Sequence, residues 1–260
     1  MRILFIGDIV GQPGRRIVKE SLPGLVEEYS PDLILANGEN AAGGFGITPS
    51  LVEELLDLGI AVLTSGNHIW DKKELLPYLA DRVDRRLLRP ANYPAGAPGR
   101  GLTVGQTRAG IGYAVMNLQG RTFMQPIECP FRAADALLEQ IPAEVKIRIV
   151  DMHAEATSEK IALGWYLDGR VTGVIGTHTH IPTADEAVLP QGTAYITDVG
   201  MSGPYDSVIG IEKQCVIQKF LTQLPGRFEV ARGDVRLCGV LIETDTATGR
   251  ALSIQRIVHK

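Results

Sequence analysis

Short apolar runs that alternate with helix-like segments constrain the fold of this chain more than any other feature. The runs predicted to be buried strands are Ile3–Ile6, Asp32–Ala36, Ile60–Leu63, Lys146–Val150 and Thr172–Ile175. The segments between them carry helical signals, such as the capping-box spacing of Ser50 and Glu53. Strands that alternate with helices in this way predict an α/β fold.

Polar residues stand at or directly after the ends of these predicted strands. They are Asp8, Glu39, Asn40, Asn67, His68, His153, His178 and His180. Each alone has an ordinary structural explanation, such as a turn, a helix cap or a packed histidine. The carboxyl ends of strands in α/β sheets converge on one edge, where such sheets bind ligands. Because four of the chain's five histidines belong to this set, we predict a functional site at that edge.

The sequence Gly176-Thr177-His178-Thr179-His180 supplies two of these histidines from one strand end. Residues i and i+2 of an extended backbone point the same way, so His178 and His180 are predicted to face the site together. Imidazole, carboxylate and amide ligands favour iron, manganese or zinc over calcium. The set exceeds the ligand number of one ion, which predicts two ions that share a bridging carboxylate.

Composition places limits on function. The 260 residues are 45% hydrophobic and 22% charged, with a net charge of -4, as in an ordinary globular protein. We find no internal repeat, low-complexity segment or linker, and we predict a single domain, residues 1–260. Without a long basic run, stable binding to duplex nucleic acid or to an anionic membrane is not expected. A P-loop is excluded because the glycine-rich stretch after Asn40 lacks its Lys-Ser/Thr ending.

The three cysteines, Cys129, Cys215 and Cys238, have no spacing typical of a zinc knuckle or a disulfide framework. They are expected to be reduced, small apolar residues. The apolar run near the N-terminus is too short for a signal peptide or a membrane span. We therefore predict a cytoplasmic protein.

The sequence also predicts the local structure of three further segments. The basic cluster Arg82, Arg85, Arg86 and Arg89 is interleaved with acidic residues, which favours a solvated helix face over a phosphate-binding patch. The polar, glycine-rich stretch 198–206 is predicted to be a loop that either covers the site or connects elements. Residues 211–222 are predicted to be helical, and Asp234–Glu243 and Ala251–Val258 to form an antiparallel pair.

The motifs Gly-Asp, Gly-Glu-Asn, Gly-Asn-His, His and Gly-Thr-His-Thr-His, in this order, resemble those of the calcineurin-like metallophosphoesterase superfamily. Within it, the chain resembles the YmdB-type branch nearly end to end, including the stretches 198–201 and 203–210. The superfamily pattern begins Asp-x-His, whereas Ile9 and Val10 follow Asp8 here. Its second motif is usually Gly-Asp, whereas this chain has Gly38-Glu39-Asn40. Both departures match the YmdB-type branch.

The resemblance implies a four-layer α/β/β/α sandwich that holds two metal ions, usually iron or manganese, bridged by Glu39. One ion would be bound by Asp8, Glu39, Asn40 and His180. The other would be bound by Glu39, Asn67, His153 and His178. His68 would be the proton donor, and no other cofactor-binding residue is implied.

The expected function is that of a metal-dependent phosphodiesterase that acts on small phosphodiesters. The resemblance implies cyclic nucleotides, notably 2',3'-cyclic AMP, and a metal-bridging hydroxide as nucleophile. One alternative is a regulatory protein that binds a cyclic nucleotide with little turnover. A metal-dependent RNase is less favoured because no clear basic track accompanies the site. A homo-oligomer is compatible with a chain of this size.

Overall fold

The computed structural model describes residues 1–81 and 86–260. The strands are β1 (Arg2–Ile6), β2 (Asp8–Ile9), β3 (Leu33–Asn37), β4 (Val62–Thr64), β5 (Leu102–Gln106), β6 (Gly112–Gln119), β7 (Ile147–His153), β8 (Gly173–Thr177), β9 (Ala187–Val188), β10 (Ala194–Ile196), β11 (Met201–Pro204), β12 (Val235–Thr244) and β13 (Ala251–His259). The helices are α1 (Gly11–Tyr29), α2 (Pro49–Asp57), α3 (Leu75–Ala80), α4 (Pro130–Leu138), α5 (Thr157–Leu167) and α6 (Lys213–Thr222), with a short 3-10 helix at Asn67–Trp70. Within the described residues, none of the helices has the length and apolar character needed to cross a membrane.

Two sheets form the centre of the molecule. The first has the strand order β2-β11-β12-β1-β3-β4, with β13 paired to β12, and the second has the order β5-β6-β7-β8-β10-β9. Strands β1, β3 and β4 run parallel to one another, and so do β6, β7, β8 and β10. The parallel strands of each sheet therefore end at one edge, and that edge carries the polar residues singled out in the sequence.

The side chains of each central strand divide between two layers of the core. In β1, Ile3 and Phe5 belong to the cluster between the sheets, whereas Leu4 and Ile6 pack with the residues of α1 and α2. Successive side chains of a strand point to opposite faces, so an unbroken apolar run serves a strand that is covered on both sides. A third cluster joins the second sheet to α4 and α5. The order helix, sheet, sheet, helix confirms the predicted four-layer α/β/β/α sandwich.

The stretch 198–206, predicted to be a loop, instead contains strand β11. This strand pairs in parallel with β2, with Met201 opposite Asp8, and antiparallel with β12. Its hydrogen bonds come from two neighbouring strands, a source that local composition does not reveal. Residue 7, between β1 and β2, has to be a glycine, because a Cβ atom there would lie 2.0 Å from the carbonyl oxygen of Gly200. Asp8 lies in the short strand β2 and not in a turn.

The basic cluster was predicted to form a solvated helix face, and the structure differs from this prediction at Arg89. Arg82 and Arg85 lie outside the described residues. Arg89 is buried, and its guanidinium donates hydrogen bonds to the carbonyl oxygens of Pro90, at 2.7 Å, and Pro98, at 3.1 Å. A side chain bonded in this way organises an irregular connection and is not part of a solvated helix face.

Helix α1 continues through Pro23 and Gly24, two residues that are unfavourable inside a helix. Both residues are exposed, while Val18, Leu22 and Leu25 are buried against the first sheet. The packing of this apolar face maintains the helix across two unfavourable residues.

We predict that Gly24→Ala increases the free energy of unfolding by about 0.5–1 kcal/mol, because alanine loses less backbone entropy in a helix than glycine does. No atom lies within 4 Å of a Cβ at position 24. The measurement is denaturant unfolding followed by circular dichroism. Gly14→Ala is the matched control in the same helix and should destabilise, because its Cβ would lie 2.2 Å from the carbonyl oxygen of Ser202. A loss of stability in Gly24→Ala would contradict this account of α1.

Candidate metal centre

The predicted site residues meet where the carboxyl ends of the two sheets come together. His153 is the last residue of β7, and His178 and His180 follow β8 directly. The loop after β3 contributes Glu39 and Asn40, the 3-10 helix after β4 contributes Asn67 and His68, and β2 contributes Asp8. The structure thus brings together all eight residues, although the sequence separates the first from the last by more than half of the chain.

One group of donor atoms surrounds Nε2 of His153. This nitrogen lies 3.0 Å from Oε1 of Glu39, 3.1 Å from Oδ1 of Asn67 and 3.0 Å from Nδ1 of His178. Glu39 and His153 are fully buried. Ligand atoms of Glu39, His153 and His178 all lie within 4.8 Å of one another. Two nitrogens and two oxygens that face one point form a donor set suited to a transition metal.

A second group of donor atoms, from Asp8, Asn40 and His180, also approaches Glu39. Nε2 of His180 is 3.1 Å from the side-chain amide nitrogen of Asn40 and 3.9 Å from Oδ1 of Asp8. The same Asn40 nitrogen donates to Oε1 of Glu39 at 3.3 Å. Oδ1 of Asp8 is buried and has no hydrogen-bond partner among the described residues. A buried carboxylate oxygen without a partner is costly, and a cation beside it would remove that cost.

In His153, His178 and His180, the ring nitrogen that faces away from the donor groups is bonded to an oxygen. Nδ1 of His153 lies 2.9 Å from Oγ1 of Thr177, Nε2 of His178 lies 3.1 Å from Oε2 of Glu155, and Nδ1 of His180 lies 2.9 Å from the carbonyl oxygen of Ile209. An N–H donated outward leaves the lone pair of the inner nitrogen directed into the site. Inner nitrogens of His153 and His178 face each other at 3.0 Å, an arrangement that requires a proton or a metal ion between them. The residues present therefore fit a metal centre.

The electrostatics lead to the same conclusion. Burial alone would raise the pKa of Glu39, but His153 beside it lowers that pKa to about 2. Burial opposes the charged form of His153, yet Glu39 and Asp8 raise its pKa to about 9. Burial and the neighbouring His153 charge lower the pKa of His178 to about 2, so His178 remains a neutral ligand. The buried carboxylates thus hold a positive charge at His153, and a bound metal cation would supply that charge in its place.

Asp151 supports His153 from behind, a role that the sequence did not indicate. Its carboxylate accepts hydrogen bonds from Oγ1 of Thr177, at 2.6 Å, from Nδ2 of Asn37, at 3.0 Å, and from Oγ1 of Thr64. Because Thr177 donates its proton to Asp151, its oxygen is left to accept the N–H of His153. Burial raises the pKa of Asp151 to about 6. The contacts join strands of both sheets and fix the orientation of the imidazole ring.

His178 and His180 reach the site by a route different from the predicted one. Strand β8 ends at Thr177, and both histidines adopt left-handed backbone conformations, with φ of 96° and 66°. They converge through a tight turn and not through the alternation of an extended strand. Oδ2 of Asp198 holds the turn by accepting from the backbone N–H of Thr179, at 3.1 Å, and from its hydroxyl, at 2.7 Å.

A buried lysine neutralises Asp198. Nζ of Lys160, on α5, lies 2.8 Å from Oδ2 of Asp198, and both residues are fully buried. No local pattern indicates this pair, because Lys160 looks in the sequence like an ordinary surface residue of a helix. The pair ties α5 to the turn that carries His178 and His180.

His68 stands at the rim of the donor groups. Its backbone N–H donates to Oε2 of Glu39 at 3.1 Å, and its ring nitrogen Nδ1 lies 2.8 Å from Oδ2 of Asp71. Phe45 packs edge-on against the ring, with centroids 5.0 Å apart. Asp71 does not cap the next helix, because α3 begins only at Leu75. Nε2 of His68 is left for the adjacent cavity.

A cavity of about 490 Å³, here called the substrate cavity, opens beside the donor groups. Glu39, Asn40, His68, His178 and His180 form one part of its lining. The rest of the lining is mainly apolar and comes from the loop after β3 and the region of α6, but it also includes Glu155, Thr179 and Lys219. A polar, metal-ligating floor under apolar walls is typical of a small-molecule site.

Comparisons with known proteins agree with this geometry. A family model described as "YmdB-like protein" matches residues 4–257. A 2',3'-cyclic-nucleotide 2'-phosphodiesterase of Bacillus subtilis (strain 168) is 51% identical over 258 residues, which cover 99% of this chain and 97% of that protein. A hypothetical protein from Thermus thermophilus has a crystal structure that superposes with a TM-score of 0.92 at 43% identity, covering 100% of this chain and 99% of the other. The crystal structure of a phosphatase from Mycoplasma pneumoniae superposes with a TM-score of 0.93 at 35% identity, covering 100% and 93%.

We predict that Lys160→Met lowers the free energy of unfolding by about 3–5 kcal/mol, because it leaves Asp198 buried without a counter-charge. The measurement is urea unfolding. The matched control is Lys213→Met, which breaks the ion pair between Lys213 and Asp206. The side chains of these two residues are 46% and 61% exposed, respectively. Its effect should be much smaller because solvent screens that pair. Equal losses in the two variants would refute the role given to the buried pair.

Proposed function

The chain belongs to the YmdB-like protein family, and on that premise we propose that it hydrolyses 2',3'-cyclic nucleotides in a metal-dependent reaction. The match over residues 4–257 and the relative from Bacillus subtilis confirm the predicted family and the predicted phosphodiesterase class. Within the molecule, the observation that carries the proposal is the convergence of Glu39 with the inward nitrogens of His153 and His178 beside a cavity.

We assign two ions to the centre, as the resemblance implied. His153, His178, Asn67 and Glu39 would hold one of them, since their donor atoms already face one another. Asp8, Asn40, His180 and Glu39 would hold the other, which would satisfy the unpaired oxygen of Asp8. The mixture of nitrogen and oxygen ligands suits iron, manganese or zinc, and the resemblance favours iron or manganese among them. Bound ions would supply Lewis-acid activation of the phosphoryl group and of water.

The chain itself supplies the proton for the leaving oxygen. Asp71 accepts the Nδ1–H of His68 and fixes the orientation of the ring. The Nε2 proton is then available to the ribose oxygen that leaves phosphorus when the cyclic ester opens. Phe45 and the backbone bond to Glu39 fix the ring at the rim of the centre, so the proton donor and the metal ligands hold a constant relative position.

Four features of the sequence-based account stay predictions. They are the single domain spanning residues 1–260, the iron or manganese identity of the metal, the cytoplasmic location and the assembly into an oligomer. The roles of individual residues as metal ligands are likewise proposals, which the following experiments address.

We expect manganese- or iron-loaded protein to convert 2',3'-cyclic AMP into adenosine monophosphate, because the donor groups and His68 adjoin a cavity of suitable size. The measurement is chromatographic separation of substrate and product. A chelator should abolish turnover, and added metal should restore it. Glu39→Ala protein purified in the same way controls for a contaminating hydrolase. Tight binding of 2',3'-cyclic AMP without product would favour the regulatory alternative.

Two variants are predicted to separate metal binding from proton transfer. Glu39→Ala should lose bound metal and activity, because it removes the carboxylate shared by both donor groups. His68→Ala should retain its metal but lower kcat by about 10²–10⁴-fold, the usual contribution of a general acid. Metal content by mass spectrometry and kcat are the two readouts.

The matched control for these variants is His259→Ala, which removes an exposed histidine from the end of β13. It should change neither quantity. If His68→Ala were fully active on a substrate with a poor leaving group, His68 would not be the proton donor.

A further inference from the structure

A second cavity adjoins the substrate cavity. It measures about 510 Å³, and we call it the arginine cavity because Arg16, Arg227 and Arg232 contribute to its lining. The side chain of Phe228 lines both cavities. Gly43 lines the arginine cavity and Gly44 the substrate cavity, so the loop that follows Glu39 and Asn40 also runs along both. The two cavities are therefore neighbours, with Phe228 in the lining of both.

The wall between the cavities is fixed to the rest of the site. Backbone hydrogen bonds join Glu212 N–H to the oxygen of Glu229, at 2.8 Å, and Ala231 N–H to the oxygen of Gly210, at 2.9 Å. Val230 packs where Gly11 and Gly44 have no side chains, since a Cβ at either position would lie within 3.0 Å of it. The segment with Phe228 thus has a defined place relative to α1 and to the loop that carries Glu39.

The charge of the arginine cavity favours an anion. Its charged lining residues are three arginines and Glu229. Arg227 and Glu229 approach only to 3.9 Å, and their side chains are 89% and 66% exposed, so this pair is weak. Arg16 and Arg232 have no side-chain partner among the described residues. Guanidinium groups bind phosphate with paired hydrogen bonds, and phosphate is the anion that a nucleotide carries.

The substrate cavity offers a complementary surface for the uncharged part of a nucleotide. Phe45, Phe220 and Phe228 contribute aromatic rings, and Ile209 and Val216 contribute aliphatic side chains. Aromatic rings stack on nucleobases without regard to sequence. The donor groups, the aromatic surface and the arginine cavity thus match the chemistry of a phosphodiester, a nucleoside and a second phosphate.

We propose that the site takes a nucleoside 2',3'-cyclic phosphate that carries a second phosphate on its 5' oxygen, and that Arg16 and Arg232 bind this second phosphate. The inference rests on the proposed function and narrows its substrate class. A free 5'-phosphorylated nucleotide and the cyclic-phosphate end of an RNA strand share this chemistry. Arg16 is distant in sequence from Arg227 and Arg232, so no basic cluster in the sequence marks this cavity.

The test compares three substrates on the metal-loaded protein: 2',3'-cyclic AMP, its 5'-phosphorylated form, and an adenosine dinucleotide that ends in a 2',3'-cyclic phosphate. We expect KM to be about tenfold lower for the two substrates with the additional phosphate, as one charge-assisted contact would give. The double variant Arg16→Ala, Arg232→Ala should bring the ratio of KM values close to one. The control is Arg108→Ala, which removes a like charge and should leave the ratio as in the parent protein. Arg108 lies in the exposed turn between β5 and β6, at the end of the second sheet that is opposite to the metal centre.

A binding measurement provides a readout without turnover. In calorimetry, adenosine 3',5'-bisphosphate should bind about tenfold more tightly than adenosine 3'-monophosphate, and the double variant should lose this difference.

The outcomes separate the inference from the proposed function. If none of the substrates is hydrolysed, the proposed function fails. If all are hydrolysed with equal KM, or if the double variant raises every KM by the same factor, the function stands and the inference is overturned. A lower KM for both phosphate-bearing substrates supports recognition of the 5'-phosphate itself, and a lower KM for the dinucleotide alone supports an RNA end.

Discussion

The contact between Glu39 and His153, 3.0 Å apart and fully buried, is the interaction on which the rest of the site depends. Glu39 lies between two groups of donor atoms, and Asp8 adds a second buried carboxylate beside it. So much negative charge away from water requires a positive charge at the same place. A proton on His153 can supply part of it, and metal ions would supply it fully. The site is therefore built around a cation rather than merely able to accept one.

The four-layer fold serves this requirement by bringing the ends of two sheets together. Glu39 and Asn67 follow strands of the first sheet, and His153 and His178 come from the second. Two further buried carboxylates fix the geometry: Asp151 orients the ring of His153, and Asp198 holds the turn between His178 and His180. Each carboxylate has its hydrogen-bonding capacity met by threonine, amide or lysine partners, so the charge left uncompensated is concentrated at the metal centre.

The sequence was sufficient to predict that these eight residues meet at one edge of the sheets, because strand ends and their polar residues are local signals. The same signals, read as motifs, predicted the family and the phosphodiesterase class, and the comparisons confirmed both. The partners of these residues were not predictable. Lys160 and Asp198 are 38 residues apart and meet only through packing, and Asp198 in turn bonds to Thr179, between the two histidines in left-handed conformations. Arg16 and Arg232 were missed for the same reason, since charges that are distant in sequence give no cluster to detect.

The measurement that tests the central claim most directly is anomalous X-ray diffraction from crystals of the manganese-loaded protein. This account predicts two anomalous peaks, one on each side of the Glu39 carboxylate. His153 and His178 should contact one ion, and Asp8 and His180 the other. A single peak, or a second peak that does not contact Glu39, would contradict the shared carboxylate and with it the two-ion centre.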